Sequence, residues 1–118
     1  MEYKYINTEY LDSVSGGDPD LTGEIVSIFK EQVVEAYKEM KELLSAMDYH
    51  GLGLLAHKIK SSVSIMGMND LASMLKTFEL ETRDGKNSEQ YNSYIERFRS
   101  ETGNAVKELD DHLKKISG

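Results

Sequence analysis

Apolar residues recur at helical spacing through four long stretches of this chain, and that periodicity limits the fold more than any other feature of the sequence. Residues three and four apart share one face of an α-helix, so each stretch can bury a stripe and expose the rest. With a single proline in 118 residues and few runs of β-branched residues, the pattern predicts an all-α chain. The most continuous stripe lies near the C-terminus and comprises Tyr91, Ile95, Phe98, Thr102, Ala105, Leu109, Leu113 and Ile116.

Capping residues and glycines indicate where the helices begin and end. The first predicted helix is short and runs from a cap at Asn7 or Thr8 to about Val14, and the second is long and runs from Asp18-Pro19 to about Met47. The third runs from about Tyr49 to Met66 and stops at Gly67. The fourth is capped by Asn69 and the last by Ser88. The stripe predicted for the long helix includes Leu21, Ile28 and Met47.

The connections between the four long helices are short, which favours antiparallel packing of consecutive helices. We therefore predict an antiparallel up-down-up-down four-helix bundle with a short extra N-terminal helix. Residues 1–118 are long enough for one domain with a modest core. Residues 1–6 are expected to be a lead-in that packs Tyr5 or Ile6 on the bundle.

Charge and composition exclude several classes of protein. The net charge of −7 argues against nucleic acid or an anionic membrane as a partner. The chain has no cysteine, so it carries neither disulfides nor thiolate metal ligands. No apolar run reaches the length of a membrane span, and the first five residues lack the apolar core of a signal peptide. We expect a cytoplasmic protein.

The third predicted helix separates an apolar face from a face that carries a histidine. Its apolar stripe comprises Leu52, Leu55, Ile59, Val63 and Met66. At about 100° per residue, His57 lies nearly opposite that stripe. It shares its face with Gly53, Lys60, Ser61 and Ser64, most of which are small enough to leave the ring uncovered.

An exposed histidine beside a lysine suits phosphoryl transfer. Neutral imidazole offers a nitrogen lone pair at physiological pH. A lysine one turn away, Lys60, can pair with the oxygens of an incoming phosphoryl group. The alternative is an ordinary solvated histidine, which spacing alone does not exclude.

The other polar residues give weaker evidence for a functional site. His50 lies two turns before His57, and a rise of about 1.5 Å per residue separates the two by about 10 Å, too far for one metal ion. No metal site is therefore predicted. His112 is interpreted as a surface residue, and Glu108, Asp110 and Asp111 as a solvated face. The sequence contains no Ser-His-Asp, Walker or Gly-rich phosphate-binding motif, so without an ATP site it is not a kinase.

The stretch from Ala56 to Ser62, followed by Gly67 and Leu71, resembles the signature of histidine-containing phosphotransfer (HPt) domains. Members of that family carry a glycine about ten residues after the histidine and a downstream apolar-Glu or apolar-Gln pair, which Phe78-Glu79 matches. Upstream, the 16–18 segment and Phe29 resemble the family's G-D…F pattern. One position departs, because Ser61 stands where the family usually has glycine.

The resemblance implies a phosphocarrier rather than an enzyme. His57 would accept a phosphoryl group from a receiver-domain aspartate and pass it to a second receiver, and Lys60 would stabilise the phosphoryl charge. Lys58, Ser61, Ser64 and Glu79 would support the site. The chain would bind no cofactor of its own, since the receiver brings Mg²⁺. Response-regulator receivers and a hybrid histidine kinase are the implied partners of a monomer.

Two other functions stay open at this point. A non-catalytic helical module could bind receivers through the same face, and a helical adaptor could carry the histidine incidentally. The sequence identifies neither the cognate kinase and regulators nor the direction of net phosphoryl flow. It also leaves open whether the domain stands alone or belongs to a hybrid kinase.

Overall fold

The computed structural model describes residues 3–117, folds them into five α-helices and contains no strand among them, so the all-α prediction is confirmed. The helices are α1 (Glu9–Ser15), α2 (Pro19–Ser45), α3 (Tyr49–Ile65), α4 (Asn69–Asp84) and α5 (Tyr91–Ser117), with a 3₁₀ turn at Ser88–Gln90 ahead of α5. Residues 1, 2 and 118 of the predicted single domain lie outside the described residues.

Local capping chemistry explains several helix ends. The Asp18 side chain accepts a hydrogen bond from the Asp20 amide at 3.0 Å, and Pro19 occupies the first position of α2, as predicted. Asp48 caps α3 in the same way through the Gly51 amide at 2.9 Å. Gly67 ends the α3 segment with a φ of +75°, a conformation that a side chain would strain.

Three predicted ends were wrong. α2 stops at Ser45, and Met47 follows with a φ of +56° and 70% exposure, so it belongs to a turn rather than to the stripe. Asn69 is the first helical residue of α4, after Met68, and does not act as the cap. Ser88 begins the 3₁₀ turn, and α5 starts at Tyr91. Helix starts and ends depend on the adjoining turn, which periodicity does not report.

The long helices enclose one apolar core. Within residues 3–117, α2 contacts α3, α3 contacts α4, α4 contacts α5, and α5 returns to α2, while α1 packs on α2. The largest fully buried side chains are Leu11, Phe29, Met40, Leu52, Met66, Leu71, Leu75, Phe78, Tyr91, Ile95, Phe98 and Leu109. The stripe of α2 is narrower than predicted, because Leu21 and Ile28 are exposed. Ile28 borders a shallow depression between α2 and α3 instead of facing the core.

The acidic stretch of α5 is not the solvated face that its sequence suggested. The Glu108 carboxylate accepts hydrogen bonds from the backbone amides of Lys4, Tyr5 and Ile6 at 2.8–3.1 Å. Ile6 is buried, as the lead-in prediction required. Asp111 accepts a hydrogen bond from the Tyr3 hydroxyl at 2.8 Å. This stretch therefore attaches the N-terminal segment to α5.

Two further residues of α5 also differ from the sequence-based prediction. Asp110 pairs with Lys30 of α2. His112 is half-buried, with its Nε2 3.0 Å from the Asp12 carboxylate of α1 and its ring edge-on to Tyr3. Side chains that look solvent-facing on an isolated helix acquire partners here, Asp110 from α2 and His112 from α1 and the N-terminal segment.

Candidate functional site

The structure turns His57 of α3 toward solvent. Its side chain is 64% exposed, whereas the five predicted stripe residues on the other side of the helix are buried. Among His57's neighbours, Lys58, Ser61 and Ser64 are exposed. The helical phase inferred from the sequence therefore places His57 and the apolar stripe of α3 correctly.

Glu79 of α4 brings the site together. Its carboxylate lies 3.1 Å from Nδ1 of His57. The same carboxylate lies 3.6 Å from Nζ of Lys60 and 3.2 Å from Nη2 of Arg83. One carboxylate from α4 thus contacts the imidazole and two cations.

Packing of α4 explains why Glu79 points at α3. Phe78 is fully buried, and its ring lies against Tyr91 and Tyr94 at centroid distances of 5.4 and 5.2 Å. Consecutive helical residues are about 100° apart, so when Phe78 lies in the core, Glu79 lies at the edge of the buried face of α4. There its side chain is only 15% exposed.

The electrostatics of Glu79 favour the ionised form. Burial raises the pKa of this carboxyl, but the hydrogen bond to His57 and the charges of His57, Lys60 and Arg83 act in the opposite direction and prevail. The net pKa is lower than that of an ordinary glutamate. Glu79 is therefore a carboxylate at neutral pH.

That charge state assigns the tautomer of His57. An ionised carboxylate can only accept hydrogen bonds, so Nδ1 of His57 carries the hydrogen and donates it to Glu79. In the neutral ring the lone pair then belongs to Nε2. The site consequently offers Nε2 as a nucleophilic nitrogen on an exposed ring, and the hydrogen bond from Nδ1 to Glu79 holds the orientation of that ring.

The remaining predicted residues lie around this centre in different ways. Lys60, 25% exposed, borders a shallow depression together with Tyr10, Ser61 and Ser64. In the described part of the chain, Lys58 is outside the set of groups that contact Glu79. Tyr10 belongs to α1, so the N-terminal helix extends the surface beside Lys60.

Two features of the site were missed or misinterpreted in the sequence. Arg83 follows Glu79 by four residues, the spacing of a favourable helical ion pair, and that spacing could have identified it. Gly53 was expected to be a small neighbour on the exposed face, but it is buried against Thr82 of α4. His50, Leu54, Thr82 and Arg83 line a depression next to His57.

The described residues contain no group of three or more His, Asp or Glu side chains placed to hold a metal ion. Across residues 3–117, every helix is too short or too polar to span a membrane.

Comparison with known proteins finds one matching family model and a solved structure of similar fold. Residues 24–117 match the family model described as "Hpt domain". The fold is similar to the crystal structure of histidine-containing phosphotransfer protein B (HptB) from Pseudomonas aeruginosa PAO1, with a TM-score of 0.84 and 21% sequence identity over 97% of this chain and 98% of that chain. At that identity the likeness concerns the fold. No curated protein sequence matches the chain.

Proposed function

Because this chain belongs to the Hpt domain family, we propose that it is a histidine phosphotransfer protein of a two-component phosphorelay, with His57 as its phosphoacceptor. The observation that carries the proposal is the exposed imidazole whose Nδ1 is held by the Glu79 carboxylate, which leaves Nε2 free. A receiver domain with a phosphorylated aspartate is the proposed donor, and a second receiver is the proposed acceptor.

The transfer follows from the geometry of the ring. Nε2 of His57 attacks phosphorus, the N–P bond forms, and the acyl phosphate P–O bond breaks to release the receiver's aspartate as a carboxylate. The ring becomes positively charged, with its Nδ1–H directed at the Glu79 carboxylate. Glu79 stabilises that charge without taking the proton, so the ring remains a good leaving group for the next transfer.

The neighbouring residues have separate proposed roles. Lys60 and Arg83 both contact the Glu79 carboxylate that holds the imidazole, and from there each can turn toward the phosphoryl oxygens. Mg²⁺ on the receiver supplies further stabilisation. Lys58, Ser61 and Ser64 lie on the exposed face of α3, where a docked receiver would cover them. Serine at position 61 is small and can donate a hydrogen bond.

The wider proposals concern architecture and partners. The short connections, and the contacts that run from α2 through α3, α4 and α5 back to α2, support an antiparallel up-down-up-down bundle that forms a single domain. We propose that the domain acts as a monomer. Receivers, together with a hybrid histidine kinase upstream, are the partners that this role requires.

The first prediction tests the acceptor directly. Incubation with a phosphorylated receiver should place an acid-labile, base-stable label on this chain. His57→Gln should abolish the label while the helical signal and melting temperature stay close to wild type, because the side chain is exposed. The matched control is His50→Gln, at another exposed histidine two turns earlier on α3, and it should keep the label.

Two outcomes would contradict the proposal. A label that persists on His57→Gln would exclude this residue as the acceptor. A wild-type chain that binds the receiver tightly but takes no label would instead be a non-catalytic interaction module.

A further inference from the structure

One helical turn away from His57 and Glu79, a second pair of residues joins the same two helices. Gly53 precedes His57 by four residues, and Thr82 follows Glu79 by three, so each lies on the same side of its helix as the site residue. Both residues are buried. The two pairs therefore form neighbouring contacts along the packed surfaces of α3 and α4.

The Gly53–Thr82 contact leaves no room for a side chain at position 53. A Cβ placed on Gly53 would overlap Oγ1 of Thr82 and would lie 3.6 Å from the Glu79 carbonyl oxygen. Oγ1 of Thr82 donates a hydrogen bond to that carbonyl at 2.8 Å. Rotating the threonine away would break this bond and move a β-branched side chain within a packed interface.

Gly103 provides the contrast. It also lies inside a long helix, α5, but a Cβ there would meet no atom within 4 Å other than its chain neighbours and the backbone of its own helix. Glycine inside a helix lowers stability relative to alanine, so it needs a structural reason to be favourable. Gly53 has such a reason in the close approach of α4, whereas Gly103 has none among the described residues.

We infer that the Gly53–Thr82 contact sets the separation of α3 and α4 at which Nδ1 of His57 reaches the Glu79 carboxylate, which makes Gly53 and Thr82 positioning residues for the transfer. The inference rests on the proposed function only for its kinetic consequence. The His57–Glu79 distance of 3.1 Å is already near the long end of a hydrogen bond. Moving α4 outward by about 1 Å, roughly what an added methyl group demands, would break that bond.

The chemical consequence is a loss of tautomer control. Without the carboxylate at Nδ1, the neutral ring is free to carry its hydrogen on Nε2, and the lone pair then points away from the incoming phosphorus. The Gly53–Thr82 contact thus acts on the nucleophile through Glu79, whose carboxylate lies at Nδ1 of His57 and whose backbone carbonyl accepts the Thr82 hydroxyl.

The test is Gly53→Ala, followed by ¹⁵N NMR of the His57 ring and by the rate of transfer from a phosphorylated receiver. We expect the fraction of ring with hydrogen on Nδ1 to fall, and the transfer rate to fall by about tenfold to a hundredfold, the range that follows from a small misplacement of reacting groups. Gly103→Ala, the same substitution at an open helical site, should leave the ring spectrum and the rate at wild-type values.

A second variant separates positioning from general damage. Thr82→Ala removes the hydroxyl that an alanine at position 53 would strike. The double variant Gly53→Ala/Thr82→Ala should therefore recover the ring spectrum and transfer rate of Thr82→Ala alone. Such recovery is a coupling that two independent losses of stability would not produce.

The inference is overturned if Gly53→Ala keeps the wild-type ring spectrum, or if the double variant is no better than Gly53→Ala. If Gly53→Ala fails to fold, the folded double variant decides, because a ring spectrum different from that of Thr82→Ala would overturn the inference. The ring spectrum is measured without a receiver. A wild-type chain that takes no phosphoryl group would therefore refute the proposed function, while the spectrum would still test the role of the Gly53–Thr82 contact.

Discussion

The Glu79 carboxylate contacts one imidazole and two cations, and the two cations differ in their exposure to solvent. Lys60 is 25% exposed, whereas the side chain of Arg83 is 65% exposed. Interactions of exposed charges are weakened by solvent and salt, so the more shielded cation should stabilise a bound phosphoryl group more strongly. Lys60 is therefore the residue whose removal is most informative.

Lys60→Ala should shorten the lifetime of the phosphohistidine and slow its transfer without unfolding the chain. A well-formed charge-assisted contact contributes about 1.5–3 kcal/mol, and partial exposure should reduce this to an effect below about tenfold. The measurement is the decay of label on the isolated, phosphorylated chain. Lys58→Ala is the matched control, since Lys58 is an exposed lysine outside the Glu79 contacts. Equal decay in both variants would make Lys60 a solubilising residue only.

At the scale of elements, contacts between α4 and α5 hold the rotation of α4 that presents Glu79. Besides packing on Phe78, Tyr94 of α5 donates its hydroxyl to the Glu81 carboxylate of α4 at 2.6 Å. That hydrogen bond, helped by burial, raises the pKa of Tyr94 to about 12. Folding therefore favours the neutral phenol.

This shift predicts a loss of stability in alkali. The contribution of Tyr94 is complete below the unfolded tyrosine pKa of about 10 and is lost as the pH rises toward about 12. Tyr94→Phe has no phenol to ionise, so its free energy of unfolding should fall less steeply across that interval. Urea unfolding at successive pH values measures the difference. Identical slopes for wild type and variant would show that the α4–α5 hydrogen bond does not control this titration.

At the scale of the whole molecule, the two ends of the chain stabilise one another. Glu108 of α5 accepts three backbone amides of the N-terminal segment, and the Asn7 amide donates to the Met66 carbonyl at the end of α3 at 3.0 Å. The segment therefore links α5 to the end of the helix that carries His57.

Glu108→Ala should lower the free energy of unfolding by about 1–3 kcal/mol. The substitution removes a charged acceptor that three backbone amides share, and water replaces this acceptor only in part. The melting temperature should fall by several degrees. Label on His57 should persist below the new transition, since Glu108 lies outside the contacts of the site. Glu39→Ala, at an exposed glutamate of α2, is the control. A Glu108→Ala variant as stable as Glu39→Ala would mean that the segment contributes nothing to folding.

The helices and the orientation of His57 can be predicted from the sequence alone. Both follow from neighbouring residues, since caps such as Asp18 and Asp48 and the stripe from Leu52 to Met66 act within one helix. The same local rules missed the end of α2 at Ser45, because the turn that follows this residue determines where the helix stops. Glu79 entered only through a resemblance, because nothing local places α4 beside α3.

Tertiary packing determines which groups meet across helices. It brought Glu79 to Nδ1 of His57, buried Gly53 under Thr82, and gave Glu108 three amide donors. The physical reason is that helical phase depends on residues within a few positions of one another. The separation and rotation of two helices depend instead on side chains that touch only once the chain has folded.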